Sequence, residues 1–339
     1  MEKKTRSGSK QKPNKKKRKK YIIISIVFVL LAVISAVVGG FYAELSKINT
    51  TKLTKDNSEL GISDEAQKKI EQEDPNNEIT NIALFGVDRR SKNEASRSDS
   101  LMIATIDKKH KKIKITSIMR DSYVNVPGHG KTKITHAYAY GGPQLAIRTL
   151  NENFQLNIKD YATVDFFSLE KIINSLGGVQ INVTKEELPL INGYVQETAS
   201  IEKVTPPVLS KSGVQNLNGM QAVAYTRIRY TAGGDFERTE RQRTVLNALF
   251  SKVQQAGVSK YPSIVSTILP YVETSIDKLD IISMGTGVLT SGTKTLEQER
   301  FPLDNQGKGQ TISGVWYLVF DVKTTADQIH KYIYDDIKP

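Results

Sequence analysis

Residues 79–88 read Ile79-Thr-Asn-Ile-Ala-Leu-Phe-Gly-Val-Asp88. This is a β-type run that closes on Gly86-Val87-Asp88. Two more such runs follow, Ser100–Ile106 and Lys112–Met119, joined by the polar turn Asp107-Lys-Lys-His-Lys111. In the last of them Ile113 and Ile115 alternate with lysine and threonine, the period of a strand. The pattern then changes. Leu145, Ala146, Leu150 and Phe154 give residues 143–154 helical spacing. Tyr161–Phe166 reads as a strand, Ser168–Leu176 as a helix, and Val179–Val183 as a strand after Gly177-Gly178. Strand and helix alternate, which predicts an α/β domain of three layers, α/β/α, around a central sheet.

Residues 184–216 read as loop. Gly219–Tyr225 is a short helix. Asp235 is placed to cap a long helix over residues 236–255, with Leu246, Leu249, Phe250 and Val253 on one face. Helices are expected over 262–271 and 279–288, a strand over 316–322 and a closing helix over 326–334. No internal repeat is visible.

The net charge of +12 is unevenly placed. Residues 1–20 hold nine lysines, two arginines and one glutamate. The other 319 residues are close to neutral, which argues against a nucleic-acid partner, since that needs a basic domain face. Tyr21–Ala43 carries no charge and is long enough to cross a bilayer. A basic segment before such a span predicts a cytoplasmic N-terminus and a single-pass membrane protein whose remainder lies outside the cell. A cleaved signal peptide is the alternative, although the apolar run exceeds a usual signal core. The basic tail is also suited to anionic membrane lipid. The organisation expected is therefore a tail (1–20), a transmembrane helix (21–43), an extracellular stalk (44–78) and one catalytic domain (79–339). There is no cysteine, so disulfides, thiol nucleophiles and thiolate metal sites are excluded.

Five of the thirteen arginines lie between Arg227 and Arg243, a stretch without lysine, although lysines number 35 in all. Guanidinium is a planar fork that grips phosphate or carboxylate with paired hydrogen bonds, which lysine cannot do. Arg227 and Arg229 share a side if the chain there is extended. Arg238, Arg241 and Gln242 share a helix face, near a helix start that itself attracts anions. The other reading is a charged helix face paired with Glu237 and Glu240. Asp88 and Asp99 stand at strand ends. With phosphate oxygens they would make an oxygen-only Mg2+ site, or else they are ordinary turn residues. Arg120 follows a strand, where ligands of open α/β sheets bind. Lys133 could reach a phosphate, and Gly141-Gly142 opens the helix after it. No nucleophile elbow, P-loop or zinc spacing appears.

In their order these pieces resemble the LytR-CpsA-Psr family of cell-envelope proteins over about residues 79–256. The matching pieces are Gly86-Val87-Asp88, Arg97-Ser98-Asp99-Ser100, Arg120-Asp121, Lys133 to Gly142, Ala224-Tyr225-Thr226-Arg227-Ile228-Arg229, and Asp235-Phe236 with Arg238, Arg241 and Gln242. The resemblance implies a mixed central sheet and a phosphotransferase. Its substrate would be an anionic glycopolymer, of the wall teichoic acid or capsule type, moved from an undecaprenyl diphosphate carrier to peptidoglycan. It implies Mg2+ (or Mn2+) on Asp88 and Asp99. Arg97, Arg120, Arg227, Arg229, Arg238 and Gln242 would hold the diphosphate, with help from Lys133. Asp235 would either arrange the arginines or transfer a proton. The lipid would lie in an apolar pocket between sheet and helices. Met119 and Glu237 depart from the family pattern, and Glu237 is expected to point away from the anion. A polyprenyl-diphosphate hydrolase and a non-catalytic envelope regulator are the competing functions.

Overall fold

A computed structural model describes residues 49–89, 96–290 and 296–339. The basic tail and the expected transmembrane helix lie outside the described residues. Strand β1 (Asn49–Thr50) and helix α1 (Asp64–Glu73) precede a ladder of β2 (Ile79–Val87), β3 (Ser98–Asp107) and β4 (Lys112–Ile118). Next come the hairpin β5 (Tyr123–Val126) and β6 (Gly130–Lys133), helix α2 (Thr135–Phe154), β7 (Asp160–Asp165) and α3 (Phe166–Ser175). Then follow β8 (Val179–Val183), α4 (Glu187–Glu202), β9 (Gly213–Leu217), α5 (Gly219–Arg227) and α6 (Gly234–Ala256). The chain continues through α7 (Tyr261–Ile268), β10 (Glu273–Thr274), α8 (Lys278–Thr290), β11 (Leu296–Phe301), β12 (Gly307–Ile312), β13 (Val315–Phe320) and α9 (Val322–Tyr334).

Among the described residues, seven strands form a mixed sheet in the order β1-β10-β7-β2-β3-β4-β11. β3 runs antiparallel to β2 and β4, while β7 is parallel to β2 and β11 to β4. Helices flank the sheet, as the alternation of elements predicts. On β2 the odd-numbered residues Ala83, Phe85 and Val87 are buried. They meet Ile147, Leu150 and Phe154 of α2 and Ile329 and Ile333 of α9 in one core. A second core joins Ile173 of α3, β8 and β9, Ile191 and Val195 of α4, and Val245 of α6. The opposite face of the sheet, carrying Leu84, Met102, Ala162 and Val164 in register on β2, β3 and β7, does not merge with that second core. A cavity of about 180 Å³ remains between them.

Four expectations need correction. The expected stalk is folded onto the domain from about residue 53: Leu60, Ile62 and Ile70 are buried in the first core, and Asn151 Nδ2 donates to Leu60 O at 2.8 Å. The expected loop over 184–216 contains the long helix α4. Pro189 falls in its first turn, where the missing N–H costs nothing. Asp235 is not the cap of α6, since Gly233 holds that position and Asp235 lies in the first turn. Arg227 ends α5, so no extended stretch aligns it with Arg229. Two smaller differences concern strands. β8 pairs with β9 outside the central sheet, and the polar edge strand β11 carries no apolar alternation to announce it.

Candidate active site

The bulge between Gly86 and Val87 and the pairing of Val87 with Ser98 bring the ends of β2 and β3 together. Gly86 is required there, because a Cβ would lie 2.9 Å from Ser100 Cβ. Asp88 and Asp99 therefore stand at one edge of adjacent strands, as their sequence positions imply. Arg120 follows β4 at the same edge. Arg120 Nη1 lies 2.7 Å from Asp99 Oδ1, and Arg229 Nη2 lies 3.1 Å from Asp99 Oδ2. Arg238 Nη2 donates to the Asp99 carbonyl at 2.7 Å. Asp235 Oδ1 stands 3.3 Å from Arg238 Nε and 3.8 Å from Arg229 Nε. Lys133 Nζ lies 2.8 Å from Asp121 Oδ1. Four cations thus surround three carboxylates. The structure brings Arg120, Arg229, Arg238, Lys133, Asp99 and Asp235 together, and Asp121 joins them.

Arg238 is only 3% exposed. Burial, together with Arg229 and Arg120 nearby, pushes its pKa down to about 10 against the pull of Asp235 and Asp99. It remains a cation at neutral pH, with Asp235 and Asp99 shared between it and the neighbouring guanidiniums. Arg238 Nε and Arg120 Nε are both buried without an aligned hydrogen bond, as are the Asp235 Oδ1 and Asp121 Oδ1 atoms beside them. Unsatisfied buried donors are costly, and at this site they favour an added anion. Burial works against the Asp121 carboxylate, yet Lys133 and Arg120 hold its pKa below the ordinary value.

Other candidates sit further out. Arg227 is held by Glu197 at 3.1 Å and lies over the Tyr194 ring at 4.7 Å. Asp88 is exposed and shares a small recess with Arg227 and Phe166. Arg97 is exposed, and its charge acts with burial, Lys133 and Arg120 to lower the pKa of His136. Arg241 is structural: it binds Glu187 at 2.7 Å and Glu237 at 3.0 Å. Glu237 also accepts from Thr231 and the Gly233 N–H, so it braces its own loop and is turned away from Asp99. Gln242 lines the apolar cavity beside Asp99, with Leu246 and Leu249 further along the same helix. The mouth of that cavity is therefore the guanidinium cluster.

Asp88 and Asp99 stand at one edge with oxygen donors of the kind Mg2+ takes, but both Asp99 oxygens are paired with Arg120 and Arg229 at 2.7 and 3.1 Å, so an ion there needs those guanidiniums to turn to a bound anion. A second acidic group, Asp107, His110 and Asp336, lies at the other end of β3. Lys114 and Lys112 already occupy its carboxylates at 2.7 to 3.0 Å, so it does not suit a metal.

Asp121 was legible only as the neighbour of Arg120. Glu197 and Tyr194, which fix Arg227, come from α4, a helix with no clear apolar period in its sequence.

Residues 42–332 match the LytR_cpsA_psr family. The polyisoprenyl-teichoic acid–peptidoglycan teichoic acid transferase TagT of Bacillus subtilis is 32% identical over 258 residues, covering 74% of this chain and 76% of TagT. Regulatory protein MsrR of Staphylococcus aureus is 36% identical over 227 residues, covering 66% of this chain and 64% of MsrR. The solved structure of the LytR-CPS2A-psr family protein YwtF (TagT) with bound octaprenyl pyrophosphate lipid aligns with a TM-score of 0.58 at 25% identity, covering 78% of this chain and 92% of that one. The ordered motifs, the mixed sheet and these matches agree, and the chain belongs to the LytR_cpsA_psr family.

Proposed function

We propose that this protein transfers an anionic glycopolymer, of the wall teichoic acid or capsule type, from a polyprenyl diphosphate carrier to peptidoglycan. One observation carries the reading. An apolar cavity lined by Leu84, Met102, Ala162, Val164 and Leu249 opens on Asp99 and Gln242, beside Arg120, Arg229 and Arg238. Lipid chain and diphosphate need such neighbours in that order. The transferase name of TagT and the octaprenyl pyrophosphate in its solved structure support it.

In this reading the lipid enters the cavity and its diphosphate meets the guanidiniums. Arg120, Arg229 and Arg238 exchange part of their hold on Asp99 for phosphate oxygens. Arg97, Arg227 and Lys133 border the same anion. An acceptor hydroxyl oxygen bonds to the phosphorus that carries the polymer. The bond from that phosphorus to the bridging oxygen breaks, and polyprenyl monophosphate leaves with the electron pair. The hydroxyl proton passes to Asp235, which at 27% exposure is more open than Asp99 at 15% or Asp121 at 6%. Asp88 and Asp99 would hold Mg2+ (or Mn2+), which supplies further charge neutralisation on the diphosphate. Phosphoryl transfer of this kind rests on positioning and electrostatics, so no protein nucleophile is needed. The uncharged run Tyr21–Ala43 fits a single-pass anchor with the domain outside the cell.

The test uses the full chain in detergent, a synthetic polyprenyl-diphosphate disaccharide, and peptidoglycan present or absent. The expected result is polyprenyl monophosphate released in step with a new glycan phosphodiester. Release with water as the acceptor whether or not peptidoglycan is present would make the protein a hydrolase.

A further inference from the structure

Trp316, the chain's single tryptophan, is 43% exposed on the two-stranded hairpin β12–β13. A large aromatic left half in water forfeits burial energy. Its placement is nevertheless well determined. Trp316 pairs with Thr311 across the hairpin, and its indole lies over Gly309, where a Cβ would come within 2.8 Å of Nε1. Glycine in that strand is what allows the ring to lie against the backbone. Tyr317 packs on Tyr123 with ring centres 4.7 Å apart, and Leu318 N donates to Asp121 O at 2.9 Å. The hairpin is thus fastened to the residue that holds Lys133. Lys133 Nζ is 5.9 Å from the ring centres of both Trp316 and Tyr317.

A continuous path results. From the cavity mouth at Asp99 it passes Arg120, then Asp121 and Lys133, and ends on the exposed indole. In-line displacement places the attacking oxygen opposite the leaving oxygen. The lipid phosphate leaves towards the cavity, so the acceptor approaches from the far side of Arg120, which is the Trp316 side. The π face of an indole is electron-rich and matches the C–H face of an uncharged pyranose ring. Tyr140, 50% exposed and stacked on His129 at 4.3 Å, adds a second aromatic surface just beyond the β5–β6 hairpin that carries Lys133.

We propose that Trp316, backed by Gly309 and flanked by Lys133, is the platform on which a sugar ring of the peptidoglycan glycan strand stacks as acceptor. This rests on the transferase reading and adds an acceptor subsite to it.

The single tryptophan makes the test direct. Soluble, peptide-free glycan strands are titrated into the full chain while indole fluorescence is followed. A saturable change is expected, and it should persist in Arg120→Ala. In transfer assays Trp316→Ala should raise the acceptor KM about tenfold, the scale of a lost aromatic stacking contact. Donor KM should hold, and Trp316→Phe should recover part of the loss. An unmoved fluorescence signal together with an unchanged acceptor KM overturns the proposal. So does a change in donor KM alone, which would place the donor polymer on the ring. If wild-type protein releases no polyprenyl monophosphate, the transferase reading fails instead, and the titration still decides whether glycan binds.

Discussion

The hairpin of β3 and β4 carries buried charge at both ends, and the two ends are finished differently. At one end Lys114 and the Asp107 carboxylate are both fully buried, 2.7 Å apart. Lys114 Nζ also reaches Asp336 and the carbonyls of Tyr332 and Ile333, each at 3.0 Å. The ammonium donates to two carbonyls and pairs with two carboxylates, so the chain balances this charge itself and also ties down the end of α9. At the other end Arg120 and Arg238 keep buried N–H groups without aligned partners, and four cations face three carboxylates. The first end is a clasp. The second is completed by something that the chain does not contain.

The largest effect expected belongs to the clasp. Lys114→Met leaves Asp107 buried without its ammonium and should cost about 3–5 kcal/mol of stability, read from urea unfolding. Transfer activity per folded molecule should be retained. A loss under about 1 kcal/mol would show that the two ends are alike after all. At the other end the order reverses. Arg120→Ala should lower transfer by about 10²–10³-fold, the usual scale for removing one preorganised donor, with a smaller stability loss than Lys114→Met. Equal losses of folding and activity would dissolve the distinction.

The smallest effect is a pH slope. Burial, with Arg97, Lys133 and Arg120, holds the His136 pKa below its ordinary value. The unfolded chain therefore binds this proton first. The contribution of neutral His136 is complete above about pH 6.5 and is lost as pH falls through the lower folded value. His136→Gln should flatten the decline of stability as pH falls below about 6.5, measured by thermal unfolding across acidic pH.

The same contrast explains what the sequence made legible. β2, β3 and β4 are announced as β-type runs, and in β4 Ile113 and Ile115 alternate with polar residues, although Lys114, Thr116 and Ser117 are buried as well. The cationic cluster is announced by residue type, Asp99 and Arg120 at strand ends and Arg229 and Arg238 in the arginine-rich stretch that leads into and opens α6. What stayed hidden depends on distant partners. Leu60 and Ile70 read as part of a polar stalk until the first core receives them. The helix α4 was masked by Pro189 and Gly193, although Thr184 and Glu187 form the reciprocal start signal in which each side chain meets the other's N–H, at 3.2 and 3.0 Å. With that helix went Glu197 and Tyr194, and so the true setting of Arg227. Lys114 stands in the alternating stretch with nothing local to mark it, yet it is fully buried and bonded to carbonyls more than 200 positions away.

The unjoined cores have a consequence of their own. Interiors normally close up, and atoms lining a gap lose the dispersion contacts that a neighbour would give. Here the sheet face with Leu84, Met102 and Val164 and the helix residues Leu169 and Leu249 stop short of each other. A hydrocarbon chain that fills the space acts as borrowed interior. Loaded protein should then unfold later than empty protein, by an amount set by carrier concentration over its dissociation constant. Turnover carries the opposite demand, since the spent carrier must be withdrawn from a place where it has become part of the packing. Release of the lipid phosphate, rather than the chemical step, is where such an architecture would slow.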